Sequence, residues 1–238
     1  METVGAPDPS ALQQDAAGND DVPQLSSHAL EALKEFFAEQ NRISAAEASS
    51  VEQPEQEVAL VSEDWRLSQF WYDSGTAGTV AKEIFTLCET LESPSVACIS
   101  CPTLFAYLKK SYPNVQAQLL EYDQRFSSYG SEFTFYDYNT PEDLASSLKH
   151  SYSVIVADPP YLSMECLEKV SKTISFLLRS GPSYVLLLTG EVQKDRAAQL
   201  LNLRPCRFRP QHSSKLGNEF RLFTNYDPGV RLGGWEDE

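Results

Sequence analysis

The string Asp158-Pro159-Pro160-Tyr161 directly follows the apolar run Val154-Ile155-Val156-Ala157, and its residue types suit the binding of an amino group. Two consecutive prolines fix φ and remove two backbone donors, so the carbonyls of Asp158 and Pro159 can face a substrate. Asp158 adds a carboxylate, and Tyr161 adds a ring face. Such a notch would hold an amine by its N–H groups for N-methylation. The string alone could equally be a proline turn after a strand.

Polar side chains also follow the earlier predicted strands. Ser100 lies in a turn without glycine, which disfavours a dinucleotide with a pyrophosphate. Glu121 ends the second strand, where an acid can accept hydrogen bonds from ribose hydroxyls, and Asp123 is the near alternative. Asp137 and Tyr138 follow the third strand, with a carboxylate for an exocyclic amine and a ring to stack on adenine. Together these strand ends predict a site for an amine and an adenosine-containing cofactor, namely S-adenosylmethionine.

The aromatic segment Phe70-Trp71-Tyr72 allows two interpretations. It could be a plug in the core beneath the sheet, or a lid that folds over the cofactor. On the second interpretation, Phe70 and Trp71 join the candidate cofactor-binding residues.

Repeating strand-then-helix units must position these residues. Alternation of buried strands with helices predicts an α/β fold with a mostly parallel, doubly wound sheet. The alternating pattern from Asn218 to Tyr226 predicts that the last two strands form an antiparallel hairpin. The predicted strands are 95–100, 117–121, 132–137, 153–157, 183–189, 207–210 and 219–227, and the predicted helices are 76–91, 103–111, 141–148, 163–178 and 193–201.

Composition divides the chain into four predicted parts. Residues 1–24 are poor in large apolar side chains and are predicted to be a disordered acidic tail. Residues 25–57 contain a predicted helix and an acidic connector. Residues 58–228 form the predicted catalytic domain, and residues 229–238 are a C-terminal tail whose sequence has no interpretable pattern. The first 57 residues hold 12 acids against Lys34 and Arg42, which accounts for −10 of the net charge of −15.

This acidic charge repels a phosphate backbone and favours a basic partner. The basic residues between Arg204 and Arg221 are predicted to be a solvated face rather than a nucleic-acid groove. We expect no membrane segment. The five cysteines are an odd, scattered set, which indicates reduced thiols and a cytoplasmic location. Cys98 and Cys101 have metal or redox spacing, but no second Cys or His pair accompanies them, so we predict no metal site.

Several longer strings occur along the predicted domain: Leu67–Asp73, Leu120–Phe126, Tyr129–Phe133, Phe135–Asn139, Ala157–Ser163, Asn218–Arg221 and Asn225–Asp227. Taken together, they resemble the class I S-adenosylmethionine-dependent methyltransferases, and within them the group first described as N6-adenine-specific DNA methyltransferase 2-like proteins. The resemblance implies a seven-stranded Rossmann-like domain, which here follows the N-terminal helical extension predicted above, and methyl transfer to a lysine of translation elongation factor 1-alpha.

Methyl transfer to lysine needs a neutral amine, yet a free lysine with a pKa near 10.4 is protonated at neutral pH. Burial between Tyr161 and Trp71 would lower that pKa, whereas the charge of Asp158 would raise it. We therefore expect Asp158 and the Pro159 carbonyl to orient the amine rather than to act as a general base. Two alternatives remain: an N6-adenine methyltransferase of nucleic acid, which also presents an amine to the notch, and a cofactor-binding module without catalysis.

Overall fold

The computed structural model describes residues 60–214 and 217–237, which build a seven-stranded sheet of order β3-β2-β1-β4-β5-β7-β6. The first five strands are parallel, and β7 runs antiparallel between β5 and β6. The strands are β1 (Val96–Ile99), β2 (Ala117–Glu121), β3 (Phe133–Phe135), β4 (Val154–Ala157), β5 (Tyr184–Gly190), β6 (Arg204–Pro205) and β7 (Phe220–Thr224). The prediction of a doubly wound α/β sheet with a C-terminal antiparallel pair is confirmed.

Four α-helices among the described residues cover the two faces of the sheet. They are α1 (Ser74–Glu89), α2 (Pro102–Ser111), α3 (Met164–Leu177) and α4 (Lys194–Leu201). Val96 and Cys98 of β1 pack with α1 and α2 in one core cluster, while Ala97 and Ile99 pack with α3 and α4 in the other. Because the central parallel strands are buried on both faces, they read as continuous apolar runs. None of the described helices is long and apolar enough to cross a membrane.

Side-chain caps fix where two of these helices begin. The Asp73 carboxylate accepts a hydrogen bond from the Thr76 N–H at 2.7 Å, at the start of α1. The Ser163 hydroxyl accepts from the Cys166 N–H at 3.2 Å, at the start of α3. Capping satisfies amide groups that have no partner in the first turn of a helix. α3 therefore begins at Met164, four residues after Pro160 and immediately beyond the proline notch.

Two predicted elements differ from the structure. The sixth strand is 204–205 instead of 207–210, because the N–H groups of Arg207 and Phe208 donate to the carbonyls of Gly234 and Leu232 rather than pairing with β7. The predicted helix 141–148 is instead two 3-10 turns, Pro141–Asp143 and Ser146–Leu148. Between these turns Leu144 has extended backbone, and its side chain is buried in the core cluster beside α3.

The C-terminal residues extend the domain beyond the boundary predicted at residue 228. The Trp235 indole donates to the Thr224 hydroxyl at 3.0 Å, and Glu236 forms ion pairs with Arg209 and Arg221. Arg231 binds the buried Glu83 of α1 at 2.7 Å. Residues 229–237 thus pack against the sheet and α1 instead of forming a separate tail. The predicted disordered tail at 1–24 and the helix and connector at 25–57 lie outside the described residues.

Candidate active site

A cavity of about 600 Å³ opens at the carboxyl ends of the parallel strands. In the sheet, β1 lies between β2 and β4, so the strand order reverses between β1 and β4. The cavity lies at this switch point, where open α/β sheets bind ligands. All the residues predicted from the sequence for the site line this cavity: Phe70, Trp71, Ser100, Glu121, Asp137, Tyr138, Asp158, Pro159, Pro160 and Tyr161. The structure brings them together, while their individual roles stay predictions.

The proline notch is held firmly at the end of β4. The Asp158 N–H donates to the Ile99 carbonyl at 3.0 Å, so the backbone stays in the sheet up to the acid. Beyond the prolines, the buried Gln193 amide donates to the Leu162 carbonyl at 2.7 Å. The Tyr161 ring meets Tyr138 edge to face, with 6.0 Å between centroids. Contacts within the chain thus fix the notch at both ends.

Two acids in the cavity have raised pKa values. Removal from water raises the pKa of Asp158 to about 8, and repulsion from Glu121 adds to that rise, while the Tyr72 hydroxyl opposes it. Burial likewise raises the pKa of Glu121 to about 7, despite hydrogen bonds from the backbone N–H groups of Asp123 and Tyr122. Buried carboxyls that lose water and face a like charge bind protons more tightly. Such pairs are frequent in functional sites.

The acid at the end of β2 that faces the cavity is Glu121, whereas Asp123 is used structurally. Asp123 pairs with Arg125 at 2.6 Å and accepts from the Gln69 amide at 2.9 Å. Arg125 also donates to the Gln69 amide oxygen and to the Ser62 carbonyl. This network ties the aromatic segment to the end of β2. Of the two acids weighed from the sequence, Glu121 lines the cavity and Asp123 does not.

The turn after β1 forms the floor of the cavity. Ser100 has a positive φ of 53°, a conformation that glycine would adopt without strain. The buried Cys101 follows, and α2 begins at Pro102, which suits the first position of a helix. Burial raises the pKa of the Cys101 thiol well above its ordinary value, so the thiol stays protonated and weakly nucleophilic. No group of residues able to hold a metal ion occurs within the described part of the chain.

The aromatic segment contacts both the core and the cavity. The Trp71 indole donates to the Val61 carbonyl at 2.9 Å, and its ring meets Phe126 edge to face. Trp71 also packs against the core cluster of α1 and α2 while lining the cavity. Trp71 therefore packs in the core, as the plug interpretation requires, and also lines the cavity, while the lid over the cofactor stays a prediction.

Two residues of the site were not predicted from the sequence, namely Tyr72 and His212. The Tyr72 hydroxyl is buried and lies close enough to Asp158 to lower its pKa, although no described residue gives it a hydrogen bond of good geometry. His212 stacks on the Tyr72 ring, with centroids 4.4 Å apart. Burial lowers the pKa of His212 to about 4, so its ring is neutral at physiological pH. A lone histidine far along the chain carried no signal of this contact.

These features suit an adenosine-containing cofactor. An acid with a raised pKa faces the cavity from β2, aromatic rings line its sides, and the buried Tyr72 hydroxyl is available as a donor. The seven-stranded Rossmann-like sheet, with its last strands antiparallel and an acceptor-rich notch after β4, defines an S-adenosylmethionine-dependent methyltransferase. The comparisons with known proteins refine this class.

The chain belongs to the family described as probable N6-adenine methyltransferase, whose model matches residues 63–228. It is 44% identical over 214 residues to EEF1A lysine methyltransferase 1 of Mus musculus, which covers 89% of this chain and 96% of that protein. The Homo sapiens protein of the same name is 42% identical over 217 residues, covering 90% and 97%. A protein-lysine N-methyltransferase of Dictyostelium discoideum is 40% identical over 211 residues, covering 87% and 93%.

Proposed function

We propose that this chain transfers methyl groups from S-adenosylmethionine to the ε-amino group of a lysine in translation elongation factor 1-alpha. The observation that carries the proposal is the similarity to two proteins named EEF1A lysine methyltransferase 1, at 42% and 44% identity over about nine-tenths of the chain. The site supports it, since the notch at Asp158 offers acceptors for an amine beside a cavity suited to the cofactor.

Residues on three strand ends would hold the cofactor. Glu121 would accept hydrogen bonds from ribose hydroxyls, Asp137 would accept from the exocyclic amine, and Tyr138 would stack on the adenine. Ser100 and the rings of Phe70 and Trp71 would complete the walls, and Asp158 would border the reactive end. The bound cofactor supplies an activated methyl group on its sulfonium.

The notch would hold the lysine. The Asp158 carboxylate and the Pro159 carbonyl accept from its N–H groups, Pro160 keeps this loop rigid, and the Tyr161 ring covers the side chain. Because the pKa of Asp158 is raised to about 8, this carboxyl binds a proton more readily than an ordinary aspartate does. Proton uptake by Asp158 is therefore easier than the sequence indicated, although orientation remains its main role here. Holding two reactants in line can contribute about 7–11 kcal/mol.

An N6-adenine methyltransferase is the second candidate, favoured by the description of the matching family. The arginines that could bind phosphates are engaged within the chain. Arg209 and Arg221 pair with Glu236, and Arg207 pairs with Asp237 at 2.6 Å. Paired arginines neutralise few phosphates, so the lysine substrate is the better supported of the two.

The test is incubation of the purified chain with methyl-labelled S-adenosylmethionine and either elongation factor 1-alpha or adenine-containing DNA and RNA oligonucleotides. We expect label on the elongation factor, located at a lysine by mass spectrometry, and none on the oligonucleotides. Asp158→Ala should lose this activity while keeping the unfolding midpoint of the wild type. Label on nucleic acid alone would contradict the proposal, and so would full activity of Asp158→Ala.

We further place the protein in the cytoplasm. All five cysteines are buried free thiols, which fits a reducing compartment. The catalytic domain would begin near residue 58 and include the packed C-terminal segment.

A further inference from the structure

Large apolar side chains are exposed mainly at one edge of the sheet. Five of the large apolar residues exposed in the described part of the chain share one location. Tyr122 follows β2, and Phe135 ends β3. Tyr161 and Met164 follow β4, and Val192 follows β5. These are the carboxyl ends of parallel strands, so all five residues lie at the end of the sheet where the cavity opens, and Tyr122 and Tyr161 line it. Exposed apolar residues gathered in one place usually mark a binding surface.

The first patch, called here the Val192 patch, consists of Tyr161, Met164 and Val192. Met164 is 64% exposed and Val192 is 78% exposed. Leu162, in the same loop as Tyr161 and Met164, lies beside Val192: its methyl groups are 3.1 Å from where a Cβ on Gly190 would be, and a Val192 methyl is 3.5 Å from the same point. The loop after β4 and the turn after β5 therefore form one continuous apolar surface beside the notch.

The second patch, called here the Phe135 patch, consists of Tyr122 and Phe135. Their rings lie 5.5 Å apart between centroids, and about half of each side chain is exposed. β2 and β3 are neighbours in parallel register, with Glu121 opposite Phe135, so the two rings meet at the same edge of the sheet. The Phe135 patch thus lies across the β1–β4 switch point from the Val192 patch.

Two acids beside the Val192 patch, Glu165 and Glu191, are paired with basic residues of the chain. Glu165 binds Lys169 at 2.6 Å, and Glu191 binds Arg221 at 2.7 Å. The patch therefore offers apolar contact rather than a net positive field, which disfavours a phosphate backbone. Met164, Val192 and Phe135 do not line the cavity, so the cofactor does not account for them. A ligand that reaches both patches must extend across the mouth of the cavity.

We propose that the Val192 patch and the Phe135 patch are the two halves of a docking surface for the folded protein that carries the acceptor lysine. This inference rests on the proposed lysine methyltransferase function. The cavity between the patches admits one side chain, while the patches contact apolar residues on both sides of that lysine. Selectivity then comes from the protein surface around the lysine, and a short peptide that contacts one patch is a poor substrate.

The test compares three variants as full chains: Met164→Ser with Val192→Ser, Phe135→Ser, and the control Val230→Ser. Val230 is 98% exposed and follows β7. The chain after β7 lies at the amino end of β5, where the Tyr226 ring meets Tyr184, and therefore far from the cavity opening. The measurements are KM and kcat for intact elongation factor 1-alpha, and the Kd for S-adenosylmethionine by calorimetry. We expect KM to rise about tenfold in the double variant and severalfold in Phe135→Ser, with the cofactor Kd unchanged.

The outcomes separate the docking surface from the proposed function. If the wild type methylates the elongation factor and all three variants share its KM, the docking surface is wrong and the lysine methyltransferase function stands. If the wild type leaves the elongation factor unmethylated, the function fails and the docking surface fails with it. If the wild type is a dimer and the double variant a monomer with unchanged KM, the Val192 patch joins two copies of this chain, which also refutes the proposal.

Discussion

Asp158 and Glu121 are buried carboxyls that the site uses, and ionising them lowers the stability of the fold. Each carboxyl has a pKa raised by burial, to about 8 and about 7. Between pH 4 and those values, the folded protein holds protons that the unfolded chain has released. The free energy of unfolding contributed by these two groups therefore falls as the pH rises through this range.

Asp158→Asn should separate these two effects. An asparagine resembles the protonated acid, so the variant avoids the cost of ionising Asp158 while losing the carboxylate. We expect it to be stabilised relative to the wild type by about 1–3 kcal/mol at pH 8.5, with little difference near pH 4, and to have no measurable turnover. Urea unfolding at both pH values provides the measurement. The exposed Asp195→Asn serves as the control, and a stability difference that is independent of pH would contradict the prediction.

Tyr72→Phe should change the pH profile of the reaction. The Tyr72 hydroxyl lowers the pKa of Asp158, whereas Glu121 raises it, so removing the hydroxyl raises that pKa further. At saturating cofactor, we expect the pH at which kcat rises to move to a higher value in a pH profile of the variant. His212 adds no titration here because its pKa is about 4. The buried Tyr136→Phe, which removes a hydroxyl bonded to Thr173 at 2.9 Å, is the control and should leave the profile in place.

The rule that ligands bind at strand ends was sufficient to select Glu121, Asp137 and Asp158, which all line the cavity. Glu121 ends β2, while Asp137 and Asp158 follow β3 and β4, so their shared edge could be read from the sequence. Tyr72 and His212 could not be found in this way. They meet through an isolated antiparallel bridge between two loops, and no periodic pattern predicts a pairing of loops 140 residues apart.

The aromatic segment depends on a polar network for its position. Arg125 reaches the Gln69 amide oxygen at 2.9 Å and the Ser62 carbonyl at 3.1 Å, while its guanidinium is anchored by Asp123. The network is partly exposed, so its worth to global stability is small. Its main effect is to keep Phe70 and Trp71 at the cavity wall.

Arg125→Ala should therefore weaken cofactor binding more than folding. We expect the Kd for S-adenosylmethionine to rise by about three- to tenfold, with the melting temperature nearly unchanged. Arg66→Ala is the matched control, because Arg66 pairs with Asp64 at 2.8 Å in the same segment without reaching Gln69. If Arg125→Ala and Arg66→Ala had the same Kd for S-adenosylmethionine, Phe70 and Trp71 would keep their position without Arg125.

The sequence predicted the boundaries of elements that local patterns determine. It missed the boundaries of elements that depend on contacts with distant residues. The strands β1, β2, β4 and β5 are buried on both faces, and their apolar runs are visible in the sequence. β6 was misplaced because residues 207–208 pair with 232–234, a segment whose structure had no sequence signal. The helix predicted at 141–148 failed because burial of Leu144 overrides the local helical spacing.

At the scale of the whole molecule, residues 229–237 connect distant parts of the fold. Arg231 binds Glu83, which lies 148 positions earlier and is almost fully buried. Glu236 joins Arg209 to Arg221 across the last strands. No sequence pattern could reveal these pairs, since a single charge predicts no partner at such separation.

Removal of residues 229–238 should destabilise the domain strongly. The buried Glu83 carboxylate would lose Arg231, and Arg209 and Arg221 would lose Glu236. We expect a loss of about 2–4 kcal/mol in the free energy of unfolding, because a buried charge without its partner is costly. Chemical denaturation provides the measurement. Arg207→Ala, which breaks the exposed pair with Asp237 and a hydrogen bond to the Gly233 carbonyl, is the control. Equal stability of the two variants would refute this account.

The position of β7 between β5 and β6 affects how the protein is made. A ribosome delivers β6 before β7, yet β6 pairs in the sheet only with β7. During synthesis the edge of β5 therefore stays open after most of the nascent chain has emerged, and the sheet closes only once Phe220–Thr224 has left the exit tunnel. Because open strand edges promote aggregation, we expect the nascent polypeptide to be most prone to aggregation until β7 has paired with β5.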